Sequence, residues 1–140
     1  MTKLSYSKIK ILKAYLWILG ILVLFWWPLS HWFYPEWYHR LMGFKDFDSS
    51  LVTIIGTTGV VVVMNIFMAA IDPIRNRGML AILITFSIAM AGTYCFLIQT
   101  QGFPSREYFN MALLMLNTVI LTALFPRDDF APVQTLSRSC

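Results

Sequence analysis

Four uncharged apolar stretches alternate with short polar ones along the chain, and that alternation predicts the architecture. From Ala14 to Pro35 no residue carries a formal charge. About twenty apolar residues in helical form cross a bilayer core, so a first transmembrane helix is expected over 14–29. Leu51–Ile71 is equally free of charge. Its valines and isoleucines suit a buried strand, but its length decides for a second spanning helix. Met79–Ile98 predicts a third helix and Tyr108–Phe125 a fourth, which Pro126 stops.

The polar breaks carry their own signals. Asp72-Pro73-Ile74-Arg75-Asn76-Arg77-Gly78 is a compact turn, so the second and third helices are expected as antiparallel neighbours. Ser49 or Ser50 suits the N-cap of the second helix, and Ser105 that of the fourth. Glu107 then falls in a first turn, where the helix dipole favours negative charge. The first helix reads as a retained signal anchor. It is longer than a typical signal-peptide core and ends in Trp26-Trp27-Pro28 rather than in a small-residue cleavage site. The expected fold class is therefore all-α: a four-helix transmembrane bundle over 14–126, with a basic head over 1–13 and a polar tail over 127–140.

Composition sharpens this picture. The chain of 140 residues is 58% hydrophobic and only 13% charged, against about a quarter charged in a soluble domain. A net charge of +4 would suit nucleic acid, but the basic residues sit at the ends of apolar runs, where membrane orientation explains them. Eight of the eleven Lys and Arg residues fall on one side: Lys3, Lys8, Lys10, Lys13, Arg75, Arg77, Arg127 and Arg138. Arg40, Lys45 and Arg106 fall on the other. The bias puts both termini in the cytoplasm and the expected location is a bacterial inner membrane. The lipid bilayer is the first expected partner, with other membrane subunits or further copies of the chain beside it. Of the two cysteines, Cys95 lies in an apolar run and Cys140 is the last residue, so no disulfide framework is expected.

The unusual chemistry is concentrated in residues 30–44, which hold both histidines. Pro35 suits the first position of a helix and Gly43 the residue just past its end. A short amphipathic helix is expected between them, with Trp37, Tyr38, Leu41 and Met42 on one side and Glu36, His39 and Arg40 on the other. One reading is mechanical: Trp26, Trp27, Trp32, Trp37 and Tyr38 form an aromatic belt that anchors the bundle at headgroup depth. The other is chemical. Glu36 and His39, three residues apart, are candidate metal ligands, and His31 and His39 are candidates for holding a cofactor. Glu-x-x-His is half of a di-iron carboxylate pattern, but only Glu36 and Glu107 are glutamates, so a complete di-iron site cannot be built. A bound lipid, quinone or pigment is the cofactor class left open.

No Asp, Glu, Lys, Arg or His falls within the four expected helices, which counts against a pump or a proton-coupled transporter. Asn65, Asn117 and Thr57 are expected to make interhelical hydrogen bonds. They serve alternatively to line a cavity for a quinone, sterol or hydrocarbon. Small residues at Gly56–Gly59 and Ala89–Gly92 suit close helix packing. The first helix is bulky nearly all round and reads as facing lipid or a partner. No catalytic residue is identified: there is no Cys-x-x-Cys, and no Gly-rich phosphate loop follows a strand.

The Trp-Tyr-His-Arg-Leu-Met-Gly-Phe segment at 37–44, the Asp-Pro-Ile-Arg-Asn-Arg turn at 72–77 and the four-helix layout from about residue 10 to 126 resemble the small bacterial DoxX-like or BphX-like membrane proteins. Some members of those families are linked to quinone-dependent sulfur oxidation, and others are encoded beside catabolic oxygenases. No functional residue carries over. The expectation from the sequence is a non-catalytic accessory or assembly subunit of a larger inner-membrane complex, whether energy-transducing, photosynthetic or oxygenase. The alternatives are a quinone- or lipophile-binding protein or oxidoreductase component, and a small transporter of a neutral lipophilic solute.

Overall fold

The structure, a computed structural model, describes residues 3–126. The expected tail, with Cys140, lies outside the described residues. The chain is all-helical, with no strand among the described residues. Helix α1 spans Lys3–Leu24, passes through a π-helical turn at Phe25–Leu29 and continues as α2 at Ser30–Phe33, forming one long rod. A short helix α3 follows at Pro35–Met42, then α4 at Ser49–Ile71 and α5 at Arg77–Thr100. A 3-10 turn at Ser105–Glu107 leads into α6 at Tyr108–Leu124. Four stretches are long and apolar enough to cross a membrane: Tyr6–Phe33, Ser49–Ile71, Arg77–Thr100 and Ser105–Leu124. The chain is thus a multi-pass membrane protein.

The first rod departs from the 14–29 expectation at both ends. Helix already runs at Lys3, and Pro28 does not end it. Proline lacks an N–H and its ring crowds the carbonyl four residues back. Widening one turn to the five-residue π spacing relieves that crowding without breaking the rod.

The ends of the other helices are set locally. Asp48, rather than Ser49 or Ser50, caps α4: its carboxylate accepts from the Ser50 and Leu51 N–H groups at 2.8 and 3.1 Å. At the far end Asp72 accepts from the N–H groups of Ile74 and Arg75, and the Asn76 amide donates to the Met68 carbonyl at 2.7 Å. The 72–76 turn therefore closes on its own backbone. Ser105 opens the 3-10 turn and makes no side-chain cap. Helix α3 starts on Pro35 and ends at Gly43, whose φ of 93° is left-handed and accommodates the final turn.

Packing runs around the bundle from α1 to α4, α4 to α5, α5 to α6, and back from α6 to α1. The apolar core lies at the end of the bundle near the 72–76 turn. It joins Leu12 and Leu16 of α1, Ile66, Ala69 and Ala70 of α4, Leu80 and Leu83 of α5, and Leu121 of α6. Helix α1 is therefore not lipid-facing all round. One face enters the core, while Ile11, Ile18, Leu22 and Phe25 are exposed. Midway, Asn117 ties three helices together: Tyr15 donates to its oxygen at 2.7 Å, and its amide donates to Ser87 at 3.0 Å.

The glycines of α4 serve the first rod rather than α5. A Cβ at Gly59 would stand 2.9 Å from the Trp27 ring, and one at Gly56 2.7 Å from Trp32. Each tryptophan lies in a notch where the opposing residue has no side chain. A Cβ at Gly92 of α5 would meet no atom within 4 Å, so that glycine seats no neighbour. Gly59→Leu is expected to cost about 1–3 kcal/mol through overpacking, read by denaturant unfolding in detergent. Gly92→Leu should stay within about 0.5 kcal/mol of the parent. Equal losses from both would show that the tryptophan notches are not what holds the rod to α4.

Candidate functional site

The chemistry gathers at the end of the bundle opposite the apolar core. Its first part follows from Pro28. The Ser30 hydroxyl donates to the Trp26 carbonyl at 2.6 Å and reaches that of Trp27 at 3.0 Å. His31 Nδ1 lies 2.8 Å from the Trp27 carbonyl. A carbonyl oxygen only accepts, so Nδ1 carries the imidazole hydrogen. The residues after the proline thus satisfy backbone acceptors in the disturbed turn. Helix α3 repeats the arrangement: His39 Nδ1 donates to the Pro35 carbonyl, also at 2.8 Å.

Both histidines are buried, at 7% and 8% exposure, and their ring centres lie 5.7 Å apart. Tyr38 packs 4.5 Å from His31, and Phe47 stacks on His39 at 4.5 Å. Helix α3 consequently buries Tyr38, His39 and Met42 together, not Trp37, Tyr38, Leu41 and Met42 as the sequence suggested. Trp37 and Leu41 are exposed beside Glu36 and Arg40. Glu36 pairs with Arg40 at 3.4 Å, with both side chains more than 70% exposed. The structure therefore sets Glu36 and His39 on opposite faces, while bringing His31 to His39. Among the described residues no three of His, Cys, Asp and Glu gather as a metal-binding group.

The second part is a buried acid. Glu107 is 2% exposed and lies within the spanning stretch Ser105–Leu124. This overturns the expectation that the membrane segments hold no acidic side chain. Pro104 turns the chain into the 3-10 turn, where the Glu107 N–H donates to the Pro104 carbonyl at 3.0 Å and the side chain is buried in the bundle. The turn is fixed from α3: Arg106 donates to the Leu41 carbonyl at 2.8 Å, and Phe44 packs edge-on against Phe103.

Asn110 joins the pieces. Its amide nitrogen donates to the Glu107 carboxyl at 2.7 Å and to the Tyr38 hydroxyl at 3.1 Å. Its oxygen accepts from the Trp26 indole at 3.0 Å. One side chain on α6 thereby binds the π turn, α3 and the acid. Burial pushes the Tyr38 phenol above the ordinary tyrosine value, and the Glu107 carboxyl and the Tyr94 phenol push it further, while the Asn110 bond pulls the other way. Beside this cluster an apolar groove of about 350 Å³ is lined by Trp26, Leu41, Met42 and Phe109, with Arg106 at its rim.

The remaining expected residues separate. Asn117 bonds across helices. Asn65 and Thr57 instead donate to Val61 and Thr53 of their own helix. Trp32 and Trp37 are exposed, whereas Trp26 and Trp27 face into the bundle, on Asn110 and Phe86. Glu107, Ser30 and Tyr94 had no place in the sequence-based site. The Glu107-x-x-Asn110 spacing, which puts both on one helical face, was the available signal.

Comparison with protein-family models, with curated proteins and with solved structures finds no match to this chain.

The Tyr38 shift gives a pH dependence. A phenol whose folded value is raised contributes its full stability below the unfolded value of about 10 and loses it as pH rises beyond. The stability advantage of the parent over Tyr38→Phe should therefore be constant from about pH 7 to 9 and shrink above about pH 10. A gap that widens with alkali would contradict the placement of Tyr38 beside Glu107.

Proposed function

We propose that this membrane protein binds a quinone-type lipophile, with its polar head at Glu107, Tyr38 and Asn110 and its apolar body in the adjoining groove. The observation that carries the reading is the buried Glu107 carboxyl, held by a neutral amide. Acidic side chains within spanning segments are costly and face functional sites. Both Asn110 amide hydrogens are engaged, but the Tyr38 hydroxyl accepts one of them and keeps its own hydrogen to donate. A carbonyl oxygen is the complementary group. The groove volume of about 350 Å³ falls in the range of small-molecule sites, and its walls are apolar and aromatic. In such a site Tyr38 orients the head and Glu107 exchanges a proton with it.

Native mass analysis of the protein in lipid nanodiscs is the test. One lipophile per chain is expected, or one short-chain ubiquinone taken up on addition. Glu107→Gln and Tyr38→Phe should each weaken retention about tenfold, the loss of roughly one hydrogen bond. A parent protein that neither carries nor takes up such a molecule would sink the proposal.

A second reading, an accessory subunit of a larger membrane complex, is favoured by how little of each span is enclosed. Between 17% and 33% of each apolar window is buried within the chain, which leaves wide helix faces for neighbours. The same spectra bear on it, since a lone monomer after mild extraction would count against it.

We also assign both termini to the cytoplasm of a bacterial inner membrane. Lys8, Lys10, Lys13, Arg75 and Arg77 belong to the end away from α3, and the positive-inside bias supports that orientation. In a background without other cysteines, Lys45→Cys should react with an impermeant thiol reagent added outside intact cells and Asn76→Cys should not. The reverse pattern would invert the assignment.

A further inference from the structure

We infer that His31 and His39 form a two-coordinate site for a monovalent soft metal ion, Cu(I) in particular. The two histidines of the chain come from different helices, yet they are built alike. Each is more than nine-tenths buried. Each donates from Nδ1 to the carbonyl four residues back, at 2.8 Å in both cases. That bond fixes the tautomer and the ring orientation, and it directs Nε2 away from the parent helix with its lone pair available. Histidines that bind metals are held in this way, their second nitrogen tied to a backbone carbonyl or a carboxylate.

The spacing fits a shared ion. Metal–imidazole bonds are about 2 Å long, so two rings on one metal have centres about 6 Å apart when the nitrogens oppose one another, and slightly less when they bend. The observed separation is 5.7 Å, with the rings steeply inclined at 72°. Hydrogen bonding among the described residues uses neither Nε2, and no buried side-chain nitrogen there lacks a partner. The Nε2 atoms are therefore within reach of an incoming ion.

The surroundings choose the ion. Tyr38, Phe44 and Phe47 wall the pair, and the nearest expected carboxylate, Glu36, is turned to Arg40. A divalent ion such as Zn²⁺ takes four donors, commonly with anionic ones among them. Two neutral imidazoles in an aromatic enclosure offer neither the number nor the charge. A monovalent d¹⁰ ion is satisfied by two nitrogen donors and carries less charge into a medium of low dielectric.

The site is distinct from the proposed lipophile site, from which Tyr38 separates it, and its test is independent. The full chain, with Cys95→Ser and Cys140→Ser to remove thiols, would be titrated anaerobically with Cu(I) against a chromogenic chelator. One ion per chain is expected, with X-ray absorption showing two nitrogen neighbours. His31→Ala and His39→Ala should each weaken binding more than about 100-fold, beyond the effect of losing an outer-shell partner. Glu36→Gln should leave it unchanged. Should a histidine variant fail to fold, the parent's nitrogen count still decides. No binding by the parent, sulfur neighbours only, or binding indifferent to both histidines would overturn the assignment.

Discussion

The hydrogen bonding of Asn110 is the constraint on which the functional end of this protein depends. An amide buried in an apolar bundle cannot leave its hydrogens or its oxygen unpaired without a cost of about 1–3 kcal/mol for each. Asn110 meets that requirement with three partners from three elements: Trp26 in the π turn, Tyr38 in α3 and Glu107 in the 3-10 turn. Moving any one of these elements strands a polar group in the others. A short helix such as α3 would otherwise be free to float in the headgroup layer. Here its inner face is held against the bundle, and with it Tyr38 and His39.

The two ends of the molecule are stabilised differently. At the end near the 72–76 turn, Leu12, Leu16, Leu80 and Leu121 interlock. Removing one of them creates a cavity. At the other end tryptophans rest on glycines and polar groups pair with one another. Such a network is rigid while every member is satisfied and sensitive to any single loss. Asn117, with Tyr15 and Ser87, lies between the two regimes and keeps the helices in register. A packed base and a polar, partly open top together make a scaffold that can present chemistry without being distorted by it.

The four spans were legible in the sequence because each is an unbroken apolar run, and α3 because a proline and a glycine bracket it. Three features were not. Pro28 reads as a terminator, since sequence carries no sign that Ser30 and His31 will supply the hydrogen bonds that let the rod continue. Glu107 reads as a loop residue because its burial depends on Pro104 and on contacts with α3 that lie far away in the chain. Asn65 and Thr57 read as interhelical glue, yet a carbonyl one turn back on the same helix is always within reach and here it wins. The histidine pair was half legible. Both residues stood out, but periodicity paired His39 with Glu36 on its own helix, whereas the chain reversal at Tyr34 pairs it with His31.

The π turn at Phe25–Leu29 also acts as an angular spacer. In a regular α-helix each residue advances the side chain by about 100°, and a turn of wider pitch resets that phase for everything after it. Trp27 upstream meets Gly59, and Trp32 downstream meets Gly56, so both halves of the rod address α4 while His31 is swung toward α3. Length in this segment is therefore coupled to direction. A chain one residue shorter there would keep its hydrophobicity and its helix, yet would aim His31 about a quarter-turn away from His39. Among sequences that share this layout, the spacing between the tryptophan pair and the histidine is a more telling mark of common chemistry than the identity of the residues between them.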